Sequence, residues 1–221
     1  MRWSGVAALA AAWCASGAAA EPAIGRFERA VLTAINAARE NPQAMAEALR
    51  AYRAAFDGHV VREGGDPIGV ATVEGPRAVD EAIAFLERQR PLPPLDHGPV
   101  LTRAAQSWAD AQGPRGALGH GSPGARVREA GGDIYVGETI SYGMATPLAV
   151  VRQLIVDDGV PGRGHRTLLF SAGYRFAGVG CGDHARYGSM CVIDFAGTPD
   201  GAPILPQVAA VQPSRASAFN R

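Results

Sequence analysis

Apolar residues recur at helical spacing through the first half of the chain. Phe27, Val31, Ala34, Ile35 and Ala38 share one face and predict a helix over 27–40. Asn41-Pro42 stops it, because a residue before proline avoids helical backbone. Met45, Leu49, Tyr52 and Phe56 predict a second helix, closed by Asp57-Gly58. Residues 57–77 lose the periodicity and contain Gly64-Gly65-Asp66-Pro67, so they read as a loop with one short extended piece. Val79, Ala82, Ile83 and Leu86 mark a third helix, ended by Pro91, Pro93 and Pro94. Leu101, Ala104, Ala105 and Trp108 mark a fourth, from near Val100 to Gly113-Pro114.

The period then changes. After a glycine-rich loop around His120 and one or two helical turns at 126–130, residues 133–141 alternate as a strand. Ile134, Val136 and Ile140 share its apolar face, and so does Glu138. A carboxylate on such a face is costly unless it is paired or hydrogen-bonded. Thr146-Pro147 is an N-cap followed by proline at the first helical position. Val150, Val151, Leu154 and Ile155 give the buried face of that helix, which runs into Asp157. A short helix is expected from His165 to Phe170, then strands over 174–181 and 190–196 around a turn-rich stretch. Residues 198–221 are rich in Pro and Ala, lack periodicity, and read as a tail or peripheral strap.

The first 20 residues change the picture of where the protein works. Arg2, an apolar run from Val6 to Trp13, and Ala18-Ala19-Ala20 form the pattern of a secretory leader cleaved after Ala20. The run is too short to span a bilayer, and bulky Trp13 argues against lipid attachment at Cys14. The mature chain is therefore expected to be secreted or periplasmic, with no transmembrane segment. Cys181 and Cys191 remain. In an oxidising compartment the pair suggests a disulfide, which antiparallel pairing of the last two strands would allow; two buried thiols are the alternative. The 21 basic and 21 acidic residues give no net charge, so nothing points to nucleic acid. An apolar fraction of 47% is enough for one globular core. Abundant Ala, Gly and Arg with no Lys is the usage of a GC-rich bacterial genome.

Residues 157–166 stand out chemically: two carboxylates, a glycine-rich turn, and His165 flanked by arginines. Of the other mature histidines, His59, His97 and His184 read as ordinary surface or hydrogen-bonded residues, whereas His120 lies in a glycine-rich loop, as His165 does. There is no HExxH helix, no P-loop, no dinucleotide fingerprint and no nucleophile elbow at Ser122. What spacing leaves is a cleft formed by His120, Glu138, Asp157 and His165. Asp158 reads as a solvated turn or helix-end residue, and Arg166 as the partner of a nearby carboxylate.

Gly119-His120, Gly137-Glu138-Thr139-Ile140, Gly164-His165-Arg166, Ala177-Gly178-Val179-Gly180 and Val192-Ile193-Asp194-Phe195-Ala196 follow one another in an order that resembles the CAP superfamily. That superfamily contains the cysteine-rich secretory proteins, antigen 5 and the pathogenesis-related 1 proteins, with the SCP domain in common. Ile35-Asn36-Ala37-Ala38-Arg39 and Leu101-Thr102-Arg103-Ala104-Ala105 resemble two of its helices, so the likeness covers about residues 27–197. It implies an α+β fold, a three-layer α-β-α sandwich with a central, mainly antiparallel sheet. With the leader (1–20) and the tail (198–221) read above, it implies one domain (21–197) carrying a helical insertion at about 45–94.

The resemblance also assigns roles. His120 and His165 match the family's cleft histidines, which can bind Zn2+ or another divalent cation, and Glu138 and Asp157 match its two acids. Thr139 stands where Asn is usual, and Asp157 where Glu is common, so its shorter reach would need a water to meet its partner. The implied function is an exported binding or envelope-associated module for a lipid, glycan or protein. The alternatives are a metal-assisted hydrolase, such as a protease, using the same four residues, and a structural module in which they form a buried network.

Overall fold

A computed structural model describes residues 24–64 and 66–204. The expected leader and residues 205–221 of the expected tail lie outside the described residues.

The helices fall where apolar periodicity places them, apart from the end of the second. α1 (Arg26–Glu40) buries Val31, Leu32, Ile35 and Ala38. α2 (Pro42–Arg53) begins where Asn41 caps the amide of Ala44 through its side chain. After three short strands, β1 (Phe56–Asp57), β2 (Val60–Val61) and β3 (Val70–Ala71), comes α3 (Pro76–Arg88). β4 (Asp96–His97) leads into α4 (Pro99–Gln112), and α5 (Pro123–Glu129) follows the glycine-rich loop. The second half is β5 (Val136–Tyr142), α6 (Pro147–Val156), α7 (Gly164–Leu169), β6 (Phe176–His184) and β7 (Gly188–Ala196).

The main sheet has the order β4-β6-β7-β5. β7 pairs antiparallel with both neighbours, and only β4 runs parallel to β6. α1 and α6 cover one face, while α4 and α5 cover the other. α2 and α3 pack on each other and add an outer shell against α1 and α6. This is the expected α+β sandwich with a mainly antiparallel sheet. The core includes Ile35, Leu49, Val79, Leu86, Val151, Leu154 and Phe195, all buried.

The glycines of β6 explain how closely one helical layer lies. A Cβ at Gly178 would come within 2.1 Å of the Thr102 amide nitrogen, and one at Gly180 within 2.2 Å of that of Gln106. Any side chain there would push α4 off the sheet. Cys181 and Cys191 face each other in the β6–β7 register with Cα atoms 4.1 Å apart, and they form the disulfide.

Three expectations need correction. The second helix, expected to include Phe56 and close at Asp57-Gly58, ends at Arg53, and Phe56 lies in β1. Residues 57–77 hold more than one extended piece: β1, β2 and β3 form a three-stranded antiparallel sheet. Two-residue strands are too short to show a period of two. The strand expected from 133 starts at Val136, and Ile134 is exposed. Instead of joining the main sheet, the amides of Asp133 and Tyr135 donate to Asp200 O and Gly201 O. Residues 200 and 201, after β7, thus lie against the segment that leads into β5. Among the described residues no helix is long and apolar enough to cross a membrane.

Candidate functional site

The four residues singled out by spacing meet at one cavity. His120 comes from the loop between α4 and α5, Glu138 from β5, Asp157 from the end of α6, and His165 from the first turn of α7. His120 Nδ1 lies 2.8 Å from Glu138 Oε1, and His165 Nδ1 lies 2.6 Å from Asp157 Oδ1. The two imidazole centres are 6.3 Å apart. Both rings line a cavity of about 620 Å³.

The loop carrying His120 has few contacts of its own, and neighbouring side chains hold it. Gly119 O accepts from Trp108 Nε1 and Gln112 Nε2. The Gly119 amide donates to the Tyr142 hydroxyl, which donates in turn to Gln112 Oε1. Arg126 donates to His120 O at 2.8 Å and pairs with Glu138 Oε2. Its guanidinium stacks 4.3 Å above the Trp108 ring. Sequence reasoning missed Arg126, although its place on the short helix beside the loop was a usable signal.

The other half is a helix terminus. Asp157 ends α6 in the left-handed conformation, with φ of 57°. That turn aims its carboxylate at α7. Oδ2 accepts from the amides of His165 and Arg166, while Oδ1 faces His165 Nδ1. The shorter Asp therefore reaches His165 directly, and the expected bridging water is unnecessary. Arg166 is buried. It donates to Ile155 O and Val156 O, the open carbonyls at the end of α6, and pairs with Glu81, so its reading as a carboxylate partner holds. Burial lowers its pKa against the opposing pull of Glu81.

Asp158 is not a solvated turn residue. Its carboxylate accepts from the amides of Val73 and Glu74, at 2.7 and 2.8 Å. Those partners lie 84 and 85 positions away in sequence, beyond the reach of any local pattern. The remaining histidines stay outside the cavity. His184 is buried with both nitrogens engaged: Nε2 with Ala117 O, and Nδ1 with the amides of Arg186 and Tyr187. His97 Nε2 meets Thr102 Oγ1, and His59 is exposed.

A further acid lies behind Glu138. Asp194 is opposite Glu138 in the β5–β7 register and fully buried, with neither carboxyl oxygen in a hydrogen bond of good geometry among the described residues. Burial raises its pKa well above the usual carboxylate range, and the neighbouring Glu138 raises it further. Asp194 is in a segment quoted for the family likeness, but its meeting with Glu138 depends on strand register.

Carboxylates only accept hydrogen bonds, so each imidazole donates from Nδ1 and keeps a lone pair on Nε2. Neither Nε2 makes a hydrogen bond among the described residues. His120 is 48% and His165 22% exposed at the side chain, whereas both acids are 1% exposed. The donor set fits a two-histidine cation site, because a carboxylate on the second nitrogen fixes the tautomer of a ligating imidazole. With ring centres 6.3 Å apart and both rings on one cavity, His120 and His165 are the residues that would hold the ion. No group of three or more His, Cys, Asp or Glu side chains able to hold a metal ion occurs among the described residues.

Against protein-family models, residues 32–195 match the one described as CAP, the cysteine-rich secretory protein family. A comparison with curated proteins returned no match.

Proposed function

The chain belongs to the cysteine-rich secretory protein (CAP) family, and from that premise we propose that it is an exported binding module whose His120–His165 pair holds a divalent cation, zinc or one of similar chemistry. The observation that carries the reading is the saturation of both acids. Glu138 is taken up by His120 and Arg126, and Asp157 by His165 and two backbone amides. Glu138 does not line the cavity, and Asp157, which does, is engaged by His165 and the two amides, while both imidazoles line it beside them. Hydrolysis needs a base within reach of the attacking water. These acids are committed to orienting the rings, which favours binding over hydrolysis. The exposure of His120 argues against a purely structural network.

A bound cation would supply a Lewis-acid centre with open coordination positions. The protein's part is to present two lone pairs and hold both rings in one tautomer. Two ligands bind more weakly than three or four, which suits exchangeable occupancy. The leader-like start and the disulfide support export, and the resemblance supports a bacterial origin and an envelope association. Residues 45–94 are read as an insertion that walls the cleft. Metal analysis and calorimetric zinc titration, on the protein and on His120→Ala combined with His165→Ala, test the cation site. One zinc per chain is expected, weakened at least tenfold in the double variant. Identical titrations would sink it.

A further inference from the structure

The cavity extends well beyond the histidines. Its floor is β5 and α6, with Ile140 and Leu154, and its roof is the 56–75 segment, with Phe56 and Val70. At about 620 Å³ it lies within the roughly 300–1,000 Å³ span of small-molecule sites. Most of the surface is apolar, and the polar end has a particular character. The two Nε2 atoms accept hydrogen bonds and donate none. The charged residues lining the cavity are Glu63, Asp66, Asp157 and Asp158 against one arginine, Arg152. Arg152 is itself paired with Glu63 and lies 4.0 Å over the Tyr52 ring. The Tyr52 phenol pKa reflects the same field: burial raises it first, and Glu63 and Asp158 add to this against Arg152.

We propose that this cavity binds a long-chain primary amine, with its hydrocarbon body between floor and roof and its ammonium group donating to His120 Nε2 and His165 Nε2. An ammonium has three N–H donors and no acceptor, so one group can satisfy both imidazoles. Its charge matches the acidic lining, whereas a fatty acid of equal length would bring a fifth carboxylate toward bare lone pairs. A neutral alcohol has one donor and ranks between them. The proposal rests on reading the cleft as a binding site, but it does not need the cation. Amine and cation use the same two nitrogens and therefore compete.

Calorimetry with n-decylamine, n-decanol and n-decanoate, below their aggregation limits and with chelator present, tests it. The amine is expected to bind at least about tenfold more tightly than the carboxylate, since charge-assisted hydrogen bonds are roughly twice as strong as neutral ones. Ala149→Phe, which fills the cavity from the first turns of α6, should abolish binding of all three. Val70→Trp narrows it from the exposed roof without touching the core, and keeps the test valid if Ala149→Phe does not fold. The amine should also bind at least about tenfold more weakly to the double histidine variant, and added zinc should weaken it in the unaltered protein. Equal or tighter binding of decanoate, or amine affinity unchanged in the cavity-filling and histidine variants, would overturn the proposal. Zinc binding without amine selectivity overturns it and leaves the cation reading intact. Amine selectivity without zinc binding does the reverse.

Discussion

The floor and roof of the cavity are built by different forces. The floor is α6 on β5, where Val150, Val151, Leu154 and Ile155 are buried in the main core. The roof carries exposed apolar residues, with Ile68 at 81% and Val73 at 71% exposure. What holds it is polar. Asp158 grips two of its amides, Arg163 chelates Glu74 and Glu81, and Arg152 pairs with Glu63. Burial is indifferent to salt and mild acid, whereas exposed ion pairs are sensitive to both. The floor should set global stability, and the roof should set access to the site.

The largest effect should come from Arg166, on the floor side. Arg166→Met keeps the apolar stem but removes the donors to Ile155 O and Val156 O. Two carbonyls at the end of α6 would then be buried without partners. A loss of roughly 3–5 kcal/mol in chemical denaturation is expected, together with displacement of Asp157. A variant as stable as the parent would show that α6 does not depend on this anchor. Next is the disulfide under the same sheet. Closing a loop of 10 residues is worth about 2–3 kcal/mol on the chain-entropy model. Cys181→Ser should lose that amount under oxidising conditions, and reductant should bring the parent down to the variant. Melting temperatures that ignore reductant would contradict it.

Asp194→Asn should act in the opposite direction, by about 1 kcal/mol. Its folded pKa is raised, so the folded state holds a proton that the unfolded chain releases above its ordinary value of 3.8. Stability is then lost as pH rises from that value toward the folded one. Asn keeps the shape and a donor without that proton to hold. The variant should be the more stable protein at pH 7, with the advantage shrinking toward pH 4. A destabilised variant at pH 7 would mean that the acid is needed in its charged form.

The same division decides how much was legible in the sequence. The floor announced itself because burial repeats with the helical period, as Val150, Val151, Leu154 and Ile155 do. His165 was legible because Asp157, eight residues earlier, belongs to the same turn. Glu138 was legible as a carboxylate on an apolar face. Its partners Arg126 and Asp194 were not, since α5–β5 packing and β5–β7 register bring them together. The roof was least legible. Its strands are two residues long, and its polar anchors, such as Asp158 to Val73, span 85 positions.

Asp158→Ala tests the roof directly. It removes the acceptor for the Val73 and Glu74 amides but leaves the core untouched. Global stability should change by no more than about 1 kcal/mol, while hydrogen exchange at residues 70–75 rises at least tenfold. Unchanged exchange would show that the strands, rather than the clasp, hold the roof.

The smallest effect on global stability, and the most specific, concerns Glu74. Bidentate bonding to Arg163, aided by the Gly159 amide, lowers its pKa from 4.5 to about 2. The folded value is depressed, so the folded state binds fewer protons than the unfolded chain in that window. The clasp is fully present above pH 4.5 and is lost as pH falls toward 2. Many carboxylates titrate over the same range, so only a difference isolates this one. Glu74→Gln keeps a hydrogen-bonding side chain but cannot ionise. Roof exchange should be faster in the variant than in the parent at pH 6, and the gap should close between pH 4.5 and 2 as the parent protonates. A gap that stays constant through that window would place the roof's anchorage in its hydrogen bonds rather than in charge. The roof would then be held much as the floor's polar anchors are, and acid would not open the cavity.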